Sequence, residues 1–252
     1  MFVPWMGFVT PLLVRSPQQF GEPGPPPALV SARYTRDFAE VKALGSQDST
    51  ARRAEQTATA LFFSGNAAVQ LNAALRDQAS VRRLDIVDAA RLFAAVDMSM
   101  ADAVISVWRS KYIYGLWRPI TAINLADSDG NPATEADTTW TPLLTTPAYP
   151  SYVSGYSGLT GAFTRALQDA LRTRDLDLTL TSTAVPGAVR DYDTGAALRQ
   201  DVVDARIWLG IHFRFDDTGG VAMGQHVARW ALRHYFGRAD KHGGKGKTGA
   251  KH

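Results

Sequence analysis

Three stretches of this 252-residue chain carry side chains whose types and spacing can do chemistry. The first is KYIYGLWRP, Lys111 to Pro119. Lys111 and Arg118 are seven residues apart, about two helical turns, which predicts two cations on one helix face. Burying both among aromatic residues is costly without an anion; on a solvated edge the same pair is only a basic surface. The second is PSYVSGYSG, Pro150 to Gly158, ahead of an apolar, helix-like run. Ser154 and Gly155 then stand at a helix N-terminus, where free N–H groups and the helix dipole favour a phosphate-like anion. An ordinary serine N-cap fits the same residues. The third is ARIWLGIHFRFDD, which contains Arg206, His212 and Asp216. His212 and Asp216, four apart, are predicted to meet on one helical face. A carboxylate on one ring nitrogen fixes the tautomer and aims the other nitrogen outward, as ligand or nucleophile. A packed histidine with a salt-bridged aspartate is the alternative. Arg206 lies off that face and joins it only by its reach, or if the helix ends near Gly210.

Taken together, the stretches supply three cations, two neutral donors and one imidazole. That set is enough to wrap a tetrahedral oxyanion.

In these three motifs the chain resembles the vanadium-dependent haloperoxidase and phosphatidic-acid-phosphatase-type (PAP2) superfamily. The family pattern is Lys-x6-Arg-Pro, then Pro-Ser-Gly-His, then Ser-Arg-x5-His-x3-Asp. The first motif is complete as Lys111, Arg118 and Pro119; the third is Arg206, His212 and Asp216, with Ala205 in the serine position. The likeness runs from about residue 10 to residue 237 and is nearest the soluble bacterial haloperoxidase-like branch. It implies an all-α helix bundle with long connecting loops. It implies that His212 is the vanadate ligand, or in a phosphatase the residue that is phosphorylated. Lys111, Arg118, Ser154, Gly155 and Arg206 would hold the oxyanion's oxygens. Tyr156 occupies the position of the family's acid/base histidine; a phenol with an unperturbed pKa of about 10 is a poor base near neutrality.

Three functions follow as expectations. One is a vanadate-dependent haloperoxidase using hydrogen peroxide, a halide and a small organic acceptor. The second is a soluble acid phosphatase that acts on a phosphate monoester through a phosphohistidine, with phosphate in place of vanadate. The third is a non-catalytic oxyanion-binding member, a reading favoured by Tyr156.

The elements that must position these residues read as helices. Residues 1–34 are Pro-rich and predict an extended arm or loop, an odd beginning for a fold; the resemblance implies additional helices before this segment, so either the gene start is misplaced or the chain is a shortened member, for which a homodimer would compensate. From Tyr34 a helix runs to a C-cap at Gly45, and a second starts at a cap on Ser49 or Thr50 and ends near Gly65. Helices follow at about 66–80 and 86–124, the latter with apolar residues at three- and four-residue spacing. A long loop covers 125–153, and helices occupy about 155–173, 194–212 and 217–237. The stretch RDLDLTLTSTAVPG reads as a loop or a short strand pair. The helical domain spans 35–237.

Composition narrows the classes. No cysteine is present, which excludes disulfides and thiolate metal sites. The net charge of +3 belongs to the Gly/Lys tail 238–252, where five cations face only Asp240; the rest of the chain is slightly acidic. The tail reads as a disordered, solubilising end and not as a nucleic-acid site. The apolar start is broken by Pro4 and Pro11 and lacks a cationic leader, so no export signal is read and the chain is cytoplasmic as it stands, although relatives are often exported. No apolar run reaches the length of a membrane span. His226 and His234 read as structural.

Overall fold

The computed structural model describes residues 3–20 and 24–237. Eight α-helices carry the fold: α1 Ala32–Gly45, α2 Ala54–Phe62, α3 Ala67–Val81, α4 Ile86–Tyr114, α5 Pro119–Asn124, α6 Gly155–Leu171, α7 Gly195–Trp208 and α8 Arg214–His234. The helical class therefore holds, with one addition. Strands β1 (Asp175–Thr181) and β2 (Val189–Thr194) form an antiparallel pair between α6 and α7. β1 alternates buried and exposed residues, and its Leu176, Leu178 and Leu180 face the core. The tail from Arg238 lies outside the described residues.

Among the described residues two large apolar clusters share the interior, beside a small third one of Ala60, Leu209 and Ile211. One is built from α3, α4, α6, β1 and α8 and includes Phe63, Leu71, Leu75, Phe163 and Tyr156. The other is aromatic, with Tyr34, Phe38, Phe213 and Phe215 stacked among α1, α5 and the start of α8. The central helices α4, α6 and α8 pack closely. At Gly224 of α8 a Cβ would lie 2.0 Å from Gly158 O of α6, so only a glycine admits this approach. The N-terminal arm opens with a short 3-10 helix, Pro4–Phe8. It is pinned to α4 by the buried Asp102, whose carboxylate accepts the N–H groups of Leu12, Leu13 and Val14 at 2.6–2.8 Å.

Several boundaries differ from the sequence expectation, each for a local reason. The helix expected over 86–124 is two helices. α4 stops at Tyr114, Gly115 adopts the left-handed conformation, and Arg118 is the N-cap of α5 with Pro119 at its first position. Lys111 and Arg118 therefore do not share a helix face. The long stretch expected over 194–212 ends at Trp208. Gly210, at φ +76°, turns the chain into the next helix, a conformation that costs other residues strain. α1 runs through Gly45 to a C-cap at Ser46, because Gly45 packs directly on Gly210. α2 begins at Ala54, not at Ser49; the Ser49 hydroxyl instead accepts the N–H of Arg52 in a preceding turn.

Because α6 and α8 carry opposite walls of one buried cluster, their spacing is a stability feature. Gly224→Ala is expected to lower the unfolding free energy by about 1–3 kcal/mol through overpacking, read as a lower midpoint in urea denaturation.

Candidate functional site

His212 lies between α7 and α8, one residue before the N-cap Phe213. It meets Asp216, but not across a helical face as expected. Asp216 is at the third position of α8, and its side chain reaches back over the helix start. Its Oδ2 accepts the Phe213 N–H at 3.0 Å, lies 3.0 Å from His212 Nδ1, and accepts the Ser151 hydroxyl. This arrangement places the imidazole proton on Nδ1 and leaves the Nε2 lone pair free of a proton. Nε2 lies 3.0 Å from Arg118 Nη1. Burial, then the neighbouring Arg118, Lys111 and Arg206, hold the imidazole well below its usual pKa, so it is neutral.

The cations converge from three directions. Lys111, fully buried on the last turn of α4, donates to Pro150 O at 2.7 Å and Ser151 O at 2.8 Å. An ammonium has three N–H donors, so one remains. Arg118 donates from Nε to Tyr149 O at 2.8 Å and from Nη1 to Ile211 O at 2.6 Å. Arg206, near the end of α7, donates from Nη1 to Phe63 O at 3.0 Å. The helix break after Trp208 leaves His212 within the electrostatic influence of Arg206. Arg118 Nη2 and Arg206 Nε are buried without a partner among the described residues. Desolvation lowers the Lys111 pKa well below its ordinary value and that of Arg118 to about 10.

Ser154 is the N-cap of α6, as expected, and its hydroxyl accepts the Ser157 N–H. Its own N–H is taken by Asp216 O at 2.9 Å, which fastens the start of α6 to the first turn of α8. The first-turn N–H groups of Gly155 and Tyr156 have no acceptor within the helix. Gly155 sits against Trp108, where a Cβ would be 3.0 Å from the indole ring. Tyr156 is buried, and its hydroxyl donates to Gln70 Oε1 on α3. Its ring lies 4.9 Å from the Arg206 guanidinium. Burial raises the phenol pKa further, so Tyr156 is a neutral donor and a platform for Arg206 rather than a base.

All eight singled-out residues thus fall in one buried region. Sequence reading passed over four others. Tyr149 places its ring 5.1 Å from Lys111 Nζ and 4.8 Å from the Arg118 guanidinium. Ser151 supports Asp216, and Gln70 accepts the hydrogen bond of the Tyr156 hydroxyl. The fourth, Asp217, is fully buried beside Asp216 and accepts a hydrogen bond from Ser157 at 2.7 Å. The doublet Asp216–Asp217 was the signal available for it. Burial pushes the Asp216 carboxyl up to about 6 and that of Asp217 up to about 7. At pH 7 Asp217 is therefore about half neutral while Asp216 stays mostly ionised, so the two carboxyls do not offset the three basic side chains, and the region favours an added anion. His234 is apart from it, stacked on Trp230 with Nδ1 2.8 Å from Trp230 O. Among the described residues no helix is long and apolar enough to cross a membrane.

Comparison with known proteins shows likeness in sequence and in fold. A curated relative, the vanadium chloroperoxidase of Curvularia inaequalis, is 30% identical over 175 residues, covering 51% of this chain and 28% of the relative. Among solved structures, the first bacterial vanadium-dependent iodoperoxidase superposes with a TM-score of 0.80 at 24% identity, over 92% of this chain and 57% of that one. A holo-type bacterial vanadium-dependent chloroperoxidase gives 0.72 at 18% identity, over 91% and 54%. At these identities the structural likeness establishes the fold, and this chain spans little more than half of each solved relative. The family model for the VCPO second helical-bundle domain matches residues 91–240, which hold every residue of the buried cluster except Phe63 and Gln70. That match covers more than half of the sequence, and the chain belongs to the vanadium haloperoxidase family.

Proposed function

We propose that this protein is a vanadate-dependent haloperoxidase, oxidising halide with hydrogen peroxide at a vanadate held by His212 Nε2. The observation that carries the reading is the pair of orphaned donors, Arg118 Nη2 and Arg206 Nε, buried in a cluster of three cations around a proton-free imidazole nitrogen. A buried guanidinium N–H without an acceptor is costly. A multi-oxygen anion supplies acceptors for both, together with the charge that the cluster lacks. The residues present therefore fit vanadate, with Lys111, Arg118, Arg206, the Ser154 hydroxyl and the Gly155 N–H as its holders.

Bound vanadate supplies a Lewis acid that activates hydrogen peroxide toward a halide. The chain's own residues do the rest. Asp216 retains the Nδ1 proton and so keeps the Nε2 lone pair directed outward. Arg118, now 3.0 Å from Nε2, would hold an oxygen of the anion. Lys111 stays anchored on Pro150 and Ser151 carbonyls and offers its third N–H. Tyr156 acts as a positioning residue, holding Arg206 through its ring. The oxidised halide then passes to a small organic acceptor.

Calorimetric titration of the protein with vanadate, before and after His212→Ala, tests the site; the variant is expected to lose affinity by about tenfold or more, since it removes the only imidazole in the cluster. Bromide oxidation with peroxide is the expected activity. Aryl phosphate hydrolysis without it points instead to attack by Nε2 on phosphorus, and vanadate binding with neither activity to the non-catalytic reading. A second expectation concerns Tyr156. Tyr156→Phe keeps the ring under Arg206 and retains vanadate affinity within about threefold, whereas Tyr156→Ala weakens it by about tenfold, the scale of a desolvated cation–π contact.

A further inference from the structure

At the end of the bundle where α4 begins and α6 and α8 finish, an apolar cavity adjoins a pair of protruding apolar residues. The cavity measures about 510 Å3. Leu84, Leu92, Leu171, Leu232 and Phe236 line it, and all five belong to or pack on the larger apolar cluster that includes Phe163 and Tyr156. One wall is fixed in place by Arg91 of α4, which donates from Nη2 to Phe236 O at 2.7 Å and to Gly237 O at 3.2 Å. Its guanidinium also lies 5.8 Å from the Phe236 ring. Between the lining residues Leu84 and Asp88 stand Ile86 and Val87, the first two residues of α4. They are 85% and 71% exposed, and Val81 at the end of α3 is 63% exposed. A single exposed aliphatic residue is ordinary. Three within seven positions, beside an apolar cavity, form a patch that water covers at a cost.

The rim of the cavity carries charges of both signs. Asp88 on the first turn of α4 and Arg172, the C-cap of α6, both line it and are both exposed. Neither side chain forms a hydrogen bond or an ion pair with another described residue. The remaining carboxylate of the rim, Asp169, is already paired with Arg165 at 2.8 Å.

We propose that this face is the interface of a homodimer, in which Ile86 and Val87 of each copy pack on the cavity of the other. A knob and a hollow that adjoin on one surface are the two halves of a two-fold contact, since the rotation that seats one knob seats the other. Charge points to the same occupant. Seating the start of α4 on the second copy carries Asp88 to a rim that holds Arg172, and each charge gains a partner that it lacks within its own chain. Residues 238–252 of the same chain continue from Gly237 at the rim. They contain no hydrocarbon side chain larger than that of alanine, so they do not match an apolar floor. None of the residues of the oxyanion cluster line this cavity, and the two surfaces are tested separately.

Sedimentation equilibrium over a range of protein concentrations reads the contact directly. The wild-type chain is expected to approach twice the 27.4 kDa of one copy as concentration rises. Ile86→Asp and Val87→Asp are each expected to raise the dimer Kd about tenfold or more, because a two-fold axis counts each change twice. Neither change threatens the monomer, since both residues are exposed and an acid in the first turn of a helix favours it. The urea midpoint of the dilute, monomeric chain is therefore expected not to fall. Arg172→Asp is expected to weaken the dimer as well, and adding Asp88→Arg to restore it, a rescue that damage to the fold does not give. Trp5→Asp, on the exposed apolar surface of the N-terminal arm, is expected to leave the mass unchanged. A wild-type protein that stays monomeric at its highest soluble concentration overturns the proposal. So does a dimer that survives both α4 substitutions, one that Trp5→Asp dissociates instead, or a charge exchange between positions 88 and 172 that rescues nothing.

Discussion

Lys111, Arg118 and Arg206 are buried together, and much of the surrounding structure follows from that constraint. Each isolated cation in a protein interior costs several kcal/mol unless its donors are met. Five backbone carbonyls, of Phe63, Tyr149, Pro150, Ser151 and Ile211, turn inward to accept from them. Those carbonyls belong to chain that is not regular helix, which is why helices break here. The loop before α6, the turn at Gly210 and the stop at Phe62 all deliver C=O groups that a continuous helix keeps for itself. Tyr149 and Tyr156 add ring faces against the guanidinium groups.

These partners offset only part of the positive charge. Carbonyl dipoles and rings carry no net charge, and the two nearby carboxyls are pushed toward neutrality by the same burial that strains the cations. Asp216 is committed to organising the helix start through Phe213, His212 and Ser151. The residual positive potential and the two unpartnered guanidinium N–H groups describe one deficit in two ways. An oxyanion repairs both at once, whereas a chloride-sized ion offers charge without several directed acceptors.

The helical class and the grouping of the site were legible in the sequence, because they rest on local signals: apolar periodicity, capping residues and three motifs with distinct spacing. What was not legible is how the motif residues meet. Helical spacing pointed to shared faces for Lys111 with Arg118 and for His212 with Asp216. In the structure a break separates the first pair, and a reach-back across a helix start joins the second. The break at Gly115 leaves Arg118 at the N-cap of α5, and the break at Gly210 leaves Ile211 O to accept from Arg118. Tyr149, Ser151 and Gln70 carry no spacing signature, since their roles come from contacts across 31 to 86 residues of sequence.

Position 156 illustrates how a single residue divides between core and site. The Tyr156 ring belongs to the apolar cluster of α3 and α6, edge-on to Phe63 at 6.1 Å, while its far face supports Arg206. A side chain held on both sides by packing and capped by Gln70 is rigid, and its neutral hydroxyl points away from exchange with solvent. Rigidity suits the holding of a guanidinium, but a proton carrier needs a form that changes charge near neutral pH. In this cluster the groups that burial brings toward that range are the carboxyls of Asp216 and Asp217, and Asp216 is already bound by three donors. The phenol therefore serves the packing of the core and the support of Arg206 together, with its hydroxyl committed to Gln70.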